Sequence, residues 1–224
     1  PDLIDYDALL NTASTMGLRM LESGAEAYRV EDSLQRLCRA YGADSCEIFA
    51  IPSLLIVSLC DPEGHSHTRV RRLYRRGTNL WQVDQLNSLC RAVCQGTPPF
   101  PEVDGSLARL AEAKGYSPLL QLAGFAFVAA FFTLLFKGTA ADALCSLVAG
   151  AVIFFAKYPM ERHRANSFFV NGACSFLAAL TAIAGVRLGV GQNLDKIIIG
   201  AFMGLVPGVA ITNFMRDVLE GDLF

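Results

Sequence analysis

The residues with the clearest potential for chemistry lie near the C-terminal end of the sequence, in the apolar segment 197–215. Gly200, Gly204 and Gly208 recur every four residues, so they share one helix face on which another backbone can approach closely. Pro207 lies in the same segment and has no amide hydrogen, which leaves the carbonyl one turn earlier without a donor. The segment is therefore predicted to kink or unwind at the proline, where freed backbone groups could bind a small polar molecule.

Polar side chains accompany this predicted break. Thr212 and Asn213 bring a hydroxyl and an amide to the end of the segment, and Asn171 lies in the apolar stretch before it. Polar groups beside irregular backbone line cavities in membrane proteins, and in transporters such a cavity is commonly the substrate site. A packing seam with a proline kink, and for Asn171 an interhelical hydrogen bond, are the alternatives. The residues that we expect to shape a substrate site or pathway are Gly204, Pro207, Gly208, Thr212, Asn213 and Asn171.

A second group of charged residues is a candidate for docking one domain on another or for gating. Glu26 and Arg29 are three residues apart and share a helix face, whereas Glu31 is offset from them. Arg216 and Asp217 follow the polar end of the last apolar segment. A surface ion pair worth under about 1 kcal/mol is the simpler interpretation of the first pair.

The sequence has few features of a metal site, a cofactor site or an enzyme active site. The seven cysteines have no paired metal spacing, although Cys90 and Cys94 are one helical turn apart, and reduced, buried thiols are expected. His65 and His67 could bind a metal, but we interpret them as part of an exposed hairpin tip. No phosphate-binding loop of the type G-x-x-x-x-G-K-[ST] occurs, so no ATP motor is expected in this chain. We predict no cofactor, no metal and no enzymatic activity.

The charges divide the chain into two parts that must position these residues. Residues 1–117 hold 12 of the 19 Lys and Arg residues and 15 of the 21 Asp and Glu residues. The remainder, 118–224, contains four apolar runs, each close to the roughly 20 residues that cross a bilayer as a helix. Those runs are 119–136, 140–156, 168–186 and 197–215. The sequence thus predicts a multi-pass α-helical membrane protein with an N-terminal cytosolic α+β domain over 1–117.

The N-terminal part alternates between helical and strand-like patterns. Leu9, Leu10, Ala13, Met16, Met20 and Leu21 share one side of a predicted helix over 7–22. A second helix, a small antiparallel sheet and two further helices follow, over 25–41, 47–51, 54–60, 67–74, 80–94 and 107–113. Five arginines are clustered at the third strand: Arg69, Arg71, Arg72, Arg75 and Arg76. Because acids outnumber bases in this part, we favour contact with lipid headgroups over nucleic-acid binding.

The basic residues of the short loops predict the orientation. The loop 157–164 carries Lys157, Arg162 and Arg164, whereas the loop before it carries only Lys137. The positive-inside rule places the more basic loop, and with it the N-terminal domain, in the cytoplasm.

Segments at both ends of the chain resemble the threonine/serine exporter family. The resemblance rests on the segments 23–32, 40–42, 48–52, 76–80, 205–213, 216–217 and 221–223, in the family's order. It implies export of small metabolites without ATP from a bacterial inner membrane. Some members are single long chains, and others are split into two membrane subunits, a pair associated with succinate export.

The length of this chain makes it similar to the larger subunit of the split type. The resemblance then implies a second, smaller membrane subunit as partner, and a fifth span beyond residue 224. The expected function is export of threonine/serine or a dicarboxylate such as succinate, coupled to protons. A membrane-anchored sensor or regulatory protein without transport activity is the alternative.

Overall fold

The computed structural model describes residues 5–43, 45–51, 53–61, 63–74, 77–113, 115–163 and 165–220, without the side chains of Asp217 and Glu220. The elements of the N-terminal part are α1 (Tyr6–Glu22), α2 (Ala27–Ala40), β1 (Ser45–Ile51), β2 (Leu54–Cys60), β3 (Ser66–Arg72), α3 (Leu80–Gly96) and α4 (Phe100–Glu112). Those that follow are α5 (Pro118–Leu135), α6 (Ala140–Arg162), α7 (Ser167–Arg187), α8 (Leu194–Phe202) and α9 (Gly208–Glu220).

The chain forms two compact units. Residues Pro1–Ala113 together with Val209–Phe224 make one, which we call the helix–sheet domain, and Lys114–Gly208 make the other, which we call the helical unit. The predicted boundary after residue 117 is close to this division, although the last helix groups with the N-terminal residues.

The helix–sheet domain is built around an antiparallel sheet of strand order β1-β2-β3. Alternate residues of β2, namely Leu55, Val57 and Leu59, are buried, so one face of the sheet supplies the core. α1 lies against this core, and a Cβ on Gly17 would lie 2.8 Å from Leu55 Cδ2. Glycine at this position therefore lets α1 approach the sheet closely.

The apolar face predicted for α1 is confirmed. The six predicted core residues of this helix are at most 3% exposed. α4 begins at Phe100, earlier than the helix predicted over 107–113. Pro101 lies in the first turn of α4, where a missing amide hydrogen costs no intrahelical bond.

The helical unit contains the helices that are long and apolar enough to cross a membrane. Within the described residues these are α5, α6 and α7, with 18, 23 and 21 residues respectively. α6 extends past its predicted end at residue 156, with Pro159 inside the helix and a 3.6 Å ion pair between Lys157 and Glu161 in its last turns. The structure thus has three candidate spans where the sequence predicted four.

The fourth predicted segment is two helices rather than one. α8 has 9 residues and α9 has 13, so neither reaches the roughly 20 residues of a spanning helix. The backbone interruption predicted from Pro207 is confirmed, since the helix ends at Phe202 and resumes at Gly208. That the segment 197–215 lies in the membrane stays a prediction.

Small residues let the helices of the helical unit pack closely. A Cβ on Gly150 of α6 would lie 2.9 Å from Ala126 Cα of α5, closer than real side chains allow. Ala129, Ala149 and Ala178 are at most 1% exposed at neighbouring contacts. Such contacts are the usual means by which helices associate in lipid, where burial of apolar surface gives little driving force.

Candidate functional site

Three of the predicted docking residues meet in the helix–sheet domain, and a tyrosine joins them. We call Glu26, Tyr28, Arg29 and Arg216 the Arg216 cluster. Arg216 of α9 donates hydrogen bonds to Glu26 Oε1 at 2.8 Å and to the Tyr28 hydroxyl at 3.0 Å. Its guanidinium carbon also lies 5.5 Å from the centre of the Tyr28 ring. The cluster therefore holds the last helix against the start of α2.

The N-terminus of α2 explains why Glu26 is available for this contact. Glu26 is the N-cap residue of α2, in an extended conformation, but its carboxylate makes no capping hydrogen bond to the helix. Its second oxygen lies 2.7 Å from Arg29 Nε, an ion pair without the geometry of a hydrogen bond. One carboxylate, 18% exposed, thus lies between two guanidinium groups.

The ion pairs of the Arg216 cluster are charged but weak, because solvent screens them. A hydrogen bond to the Tyr28 hydroxyl and attraction to Glu26 raise the pKa of Arg29, so this guanidinium stays charged. Arg29 and Arg216 are 59% and 42% exposed, which screens both ion pairs. Pairs of this exposure are worth about 0.2–1 kcal/mol.

The other two predicted docking residues are not shown to join the cluster. The Glu31 carboxylate accepts a 2.7 Å hydrogen bond from the backbone amide of Ala50, which ties α2 to β1. This contact gives Glu31 a structural role inside the domain. The side chain of Asp217 lies outside the described residues, so its role stays a prediction.

The backbone between α8 and α9 is compact despite the interruption. The Leu205 and Val206 amides both donate to the Phe202 carbonyl, at 2.8 and 3.1 Å. The Gly208 amide donates to the Val206 carbonyl at 2.8 Å, closing a three-residue turn around Pro207. The proline therefore sits at the centre of a tight turn between two helices.

The predicted glycine face has two different environments. A Cβ on Gly200 would lie 2.8 Å from the Ala129 carbonyl oxygen, and one on Gly204 would lie 3.3 Å from Phe125 Cδ1. Both positions therefore pack against α5, as the packing alternative predicts. A Cβ on Gly208 would meet no heavy atom within 4 Å in the described part of the chain.

The polar candidates lie at accessible positions in their own units. On α9, in the helix–sheet domain, Thr212 is exposed and Asn213 is half-buried. On α7, in the helical unit, Asn171 is exposed, as is Pro207 in the turn. Binding by Gly204, Pro207, Gly208, Thr212, Asn213 and Asn171 stays a prediction.

Asp142, in the first turn of α6, makes contacts within its own helix and with a distant loop. It forms a capping box with Thr139, with distances of 2.9 and 3.2 Å. The buried carboxylate also accepts from the amides of Gln192 and Asn193 at 2.7 and 3.0 Å, and from the Asn193 side chain at 2.8 Å. Asp142 therefore fastens the loop before α8 to the start of α6.

A pair of buried hydroxyls was missed altogether. Thr133 of α5 and Ser146 of α6 are both 0% exposed and share a hydrogen bond. Thr133 also contacts the Lys196 carbonyl at 3.4 Å, and Ser146 the Ile197 carbonyl at 3.3 Å. These bonds join three helices in the apolar interior. The only signal in the sequence was the presence of hydroxyl residues inside apolar runs.

These features define the class of protein as an integral membrane protein with a separate folded domain. They are a helix–sheet domain, apolar helices of spanning length, and a proline-centred break after those helices. Residues 11–224 match the model of the threonine/serine exporter (ThrE) family. The chain therefore belongs to this family of membrane transporters, as the resemblance of its motifs predicted.

One curated relative extends this result. The chain is 26% identical over 225 residues to the probable succinate transporter subunit YjjP of Klebsiella aerogenes, covering 99% of this chain and 86% of that protein. No solved structure matches the chain.

Proposed function

We propose that this protein is the larger subunit of a secondary transporter that exports a small carboxylate metabolite, coupled to protons. The substrate is threonine/serine or a dicarboxylate such as succinate. The proposal rests chiefly on the proline-centred break between α8 and α9 in a chain of the exporter family. The transporter resides in a bacterial inner membrane.

The start of α9 would supply the groups that a carboxylate requires, because the amide ends of half-helices attract anionic groups. α9 begins at Gly208, where a ligand can approach the backbone because no side chain is present. The Asn213 amide and the Thr212 hydroxyl would add donors, and Gly204 and Pro207 set the shape of the turn.

The Arg216 cluster provides a means of gating. α9 starts at the break and carries Arg216, which binds Glu26 and Tyr28 of the helix–sheet domain. A movement of α9 that accompanied substrate passage would strain or break these exposed ion pairs at a cost of about 1 kcal/mol each. Such a small cost suits a contact that must open in every transport cycle.

A second membrane subunit would complete the pathway. Three candidate spans in the described part of the chain are few for enclosing a solute, and α7 exposes Asn171 together with Phe168, which is one helical turn away and 79% exposed. An exposed amide favours a protein partner over lipid at this position, since polar groups in hydrocarbon are costly without hydrogen bonds.

The loop charges support a cytoplasmic helix–sheet domain. Lys157 and Arg162 lie in the last turns of α6, whereas Lys137 alone lies between α5 and α6. The excess of basic residues marks the cytoplasmic side. In this orientation the domain lies on the side from which an exporter takes its substrate.

Transport in proteoliposomes tests the proposal. The chain would be reconstituted with a candidate smaller membrane subunit of the exporter family, and efflux of labelled succinate, serine and threonine would be measured with and without an imposed proton gradient. We expect efflux of at least one solute, abolished by a protonophore. No movement of any of the three solutes would favour the sensor instead.

A variant pair tests the site. Asn213→Ala should lower the rate of efflux at least about tenfold, the equivalent of one lost hydrogen bond of about 1.4 kcal/mol to a charged group. Asn87→Ala is the matched control, because Asn87 is also a half-buried helical asparagine but lies in α3. Efflux by Asn213→Ala equal to that of the control would show that the site is assigned wrongly.

A further inference from the structure

The turn between β2 and β3 brings two histidines to one carboxylate. Asp61 Oδ1 accepts hydrogen bonds from the backbone amides of Glu63 and His65, at 3.0 and 2.8 Å. These two bonds fix the carboxylate, so that Oδ2 faces His65 Nδ1 at 3.1 Å and His67 Nε2 at 3.4 Å. Asp61, Glu63 and His65 therefore place ligand atoms within 4.8 Å of one another, since Glu63 Oε2 also lies 3.6 Å from His65 Nδ1, and His67 lies beside the same Asp61 carboxylate.

Three of the separations between these donor atoms match those around a tetrahedral metal. Zinc bonds to nitrogen and oxygen of about 2.0–2.1 Å place neighbouring donors about 3.3 Å apart at the edges of a tetrahedron. The three observed separations, 3.1, 3.4 and 3.6 Å, lie around this value. We propose that Asp61, Glu63, His65 and His67 form a zinc-binding site at the tip of the hairpin.

The surroundings of the ligands favour this assignment. Metal-binding histidines usually present their second ring nitrogen to a carboxylate or carbonyl, which orients the ring. His67 Nδ1 lies 3.8 Å from an Asp7 carboxylate oxygen, and its ring stacks on Tyr6 at 5.8 Å between centres. Both residues belong to the first turn of α1, so bound zinc would tie the hairpin tip to this helix.

The contacts around Asp61 Oδ2 have an alternative explanation that needs no metal. Without metal, the same contacts are satisfied by two imidazoles that each carry a proton on the facing nitrogen. The experiment must separate these two states.

Zinc titration of the purified full chain in detergent, after removal of metal with a chelator, is the first test. We expect one zinc ion per chain. Replacing a group that only orients a ligand costs about 10–100-fold in affinity, so His65→Ala and His67→Ala should cost at least that. His163→Ala is the matched control, since His163 is the third histidine of the chain and follows α6. Absence of zinc binding by the wild-type chain, or equal affinity in all three variants, would refute the site.

Three further measurements test the alternatives. The alternatives are zinc bound by a thiolate and histidines that bind no metal. Cobalt bound in place of zinc should show no thiolate charge-transfer band in its absorption spectrum. Cys60→Ser should leave the zinc affinity unchanged. A thiolate band, or loss of zinc binding in Cys60→Ser, would assign the metal to cysteine. Histidine carbethoxylation of the wild-type chain, read by mass spectrometry, needs no variant. Zinc should protect His65 and His67 but not His163. Equal modification of His65 and His67 with and without zinc would show that these histidines only hydrogen-bond to Asp61 and bind no metal. The proposal would then fail.

Discussion

Replacing Asp142 should loosen the helical unit while leaving the helix–sheet domain intact. Its carboxylate is 0% exposed and accepts bonds from Thr139, Gln192 and Asn193. Asp142→Ala would remove every one of these bonds and leave their donors without this acceptor. A hydrogen bond to a charged group contributes about 1.5–3 kcal/mol. We take about 3 kcal/mol, because Gln192 is exposed and water can reach part of the loop.

Buried thiols report this loss directly. Cys145 and Cys174 of the helical unit are 6% and 0% exposed, so an alkylating reagent reaches them only when the unit opens. Where opening is reversible, the labelling rate follows the population of the open form. A loss of about 3 kcal/mol then raises the rate by roughly a hundredfold, since 1.4 kcal/mol is a factor of ten. Asp142→Asn keeps one accepting oxygen and should fall between the alanine variant and the wild type.

The controls use another acid and another domain. Asp195 lies in the first turn of α8 and is exposed, so Asp195→Ala should leave labelling of Cys145 and Cys174 nearly unchanged. Cys38 in the helix–sheet domain is also buried and should keep its slow labelling in every variant. Unchanged labelling of the helical unit in Asp142→Ala, or equal acceleration at Cys38, would refute the reasoning.

Three further predictions concern other parts of the chain. A double-mutant cycle of Arg216→Ala and Glu26→Gln should give a coupling of about 0.2–1 kcal/mol in thermal unfolding that vanishes at high salt; zero coupling at low salt would contradict the ion pair. Gly200→Ala would place a methyl 2.8 Å from backbone atoms of α5 and should destabilise the chain by about 1–3 kcal/mol. The midpoint of thermal unfolding measures this loss, and an unchanged midpoint would rule out this packing. A hydrogen bond from Cys38, opposed by burial, lowers the pKa of Cys46, so its alkylation should begin at lower pH than in a Cys38→Ala chain; identical pH profiles would exclude that bond.

Local patterns predicted much of the helix–sheet domain. The helical spacing of apolar residues identified the buried face of α1, and the β2 core residues alternate as a half-buried strand requires. Boundaries near prolines were less accurate. Pro159 lies inside α6, beyond the end predicted for that helix. Pro101 lies in the first turn of α4, where a missing amide hydrogen costs no intrahelical bond.

Contacts between distant residues could not be predicted from spacing. Arg216 and Glu26 are 190 residues apart, and nothing in their spacing predicts the contact between them. Asp142 and Gln192 are 50 residues apart, and nothing in the sequence around Asp142 indicates a bond to that loop. Thr133 and Ser146 gave no pattern at all, since hydroxyls in apolar helices often bond their own backbone, as Thr133 also does to the Ala129 carbonyl.

The three glycines of the last segment have different surroundings before and after the break. This difference limits the part of the chain to which the transport hypothesis applies. Before the break, Gly200 and Gly204 are occupied by contacts with α5, so their lack of a side chain serves packing. After the break, a Cβ on Gly208 would meet no heavy atom within 4 Å among the described residues, so packing there gives no reason for glycine. Close approach of another molecule to the backbone would give one. The substrate hypothesis therefore concerns the chain from Pro207 onward, and a Gly208 variant should affect efflux while a Gly200 variant affects folding.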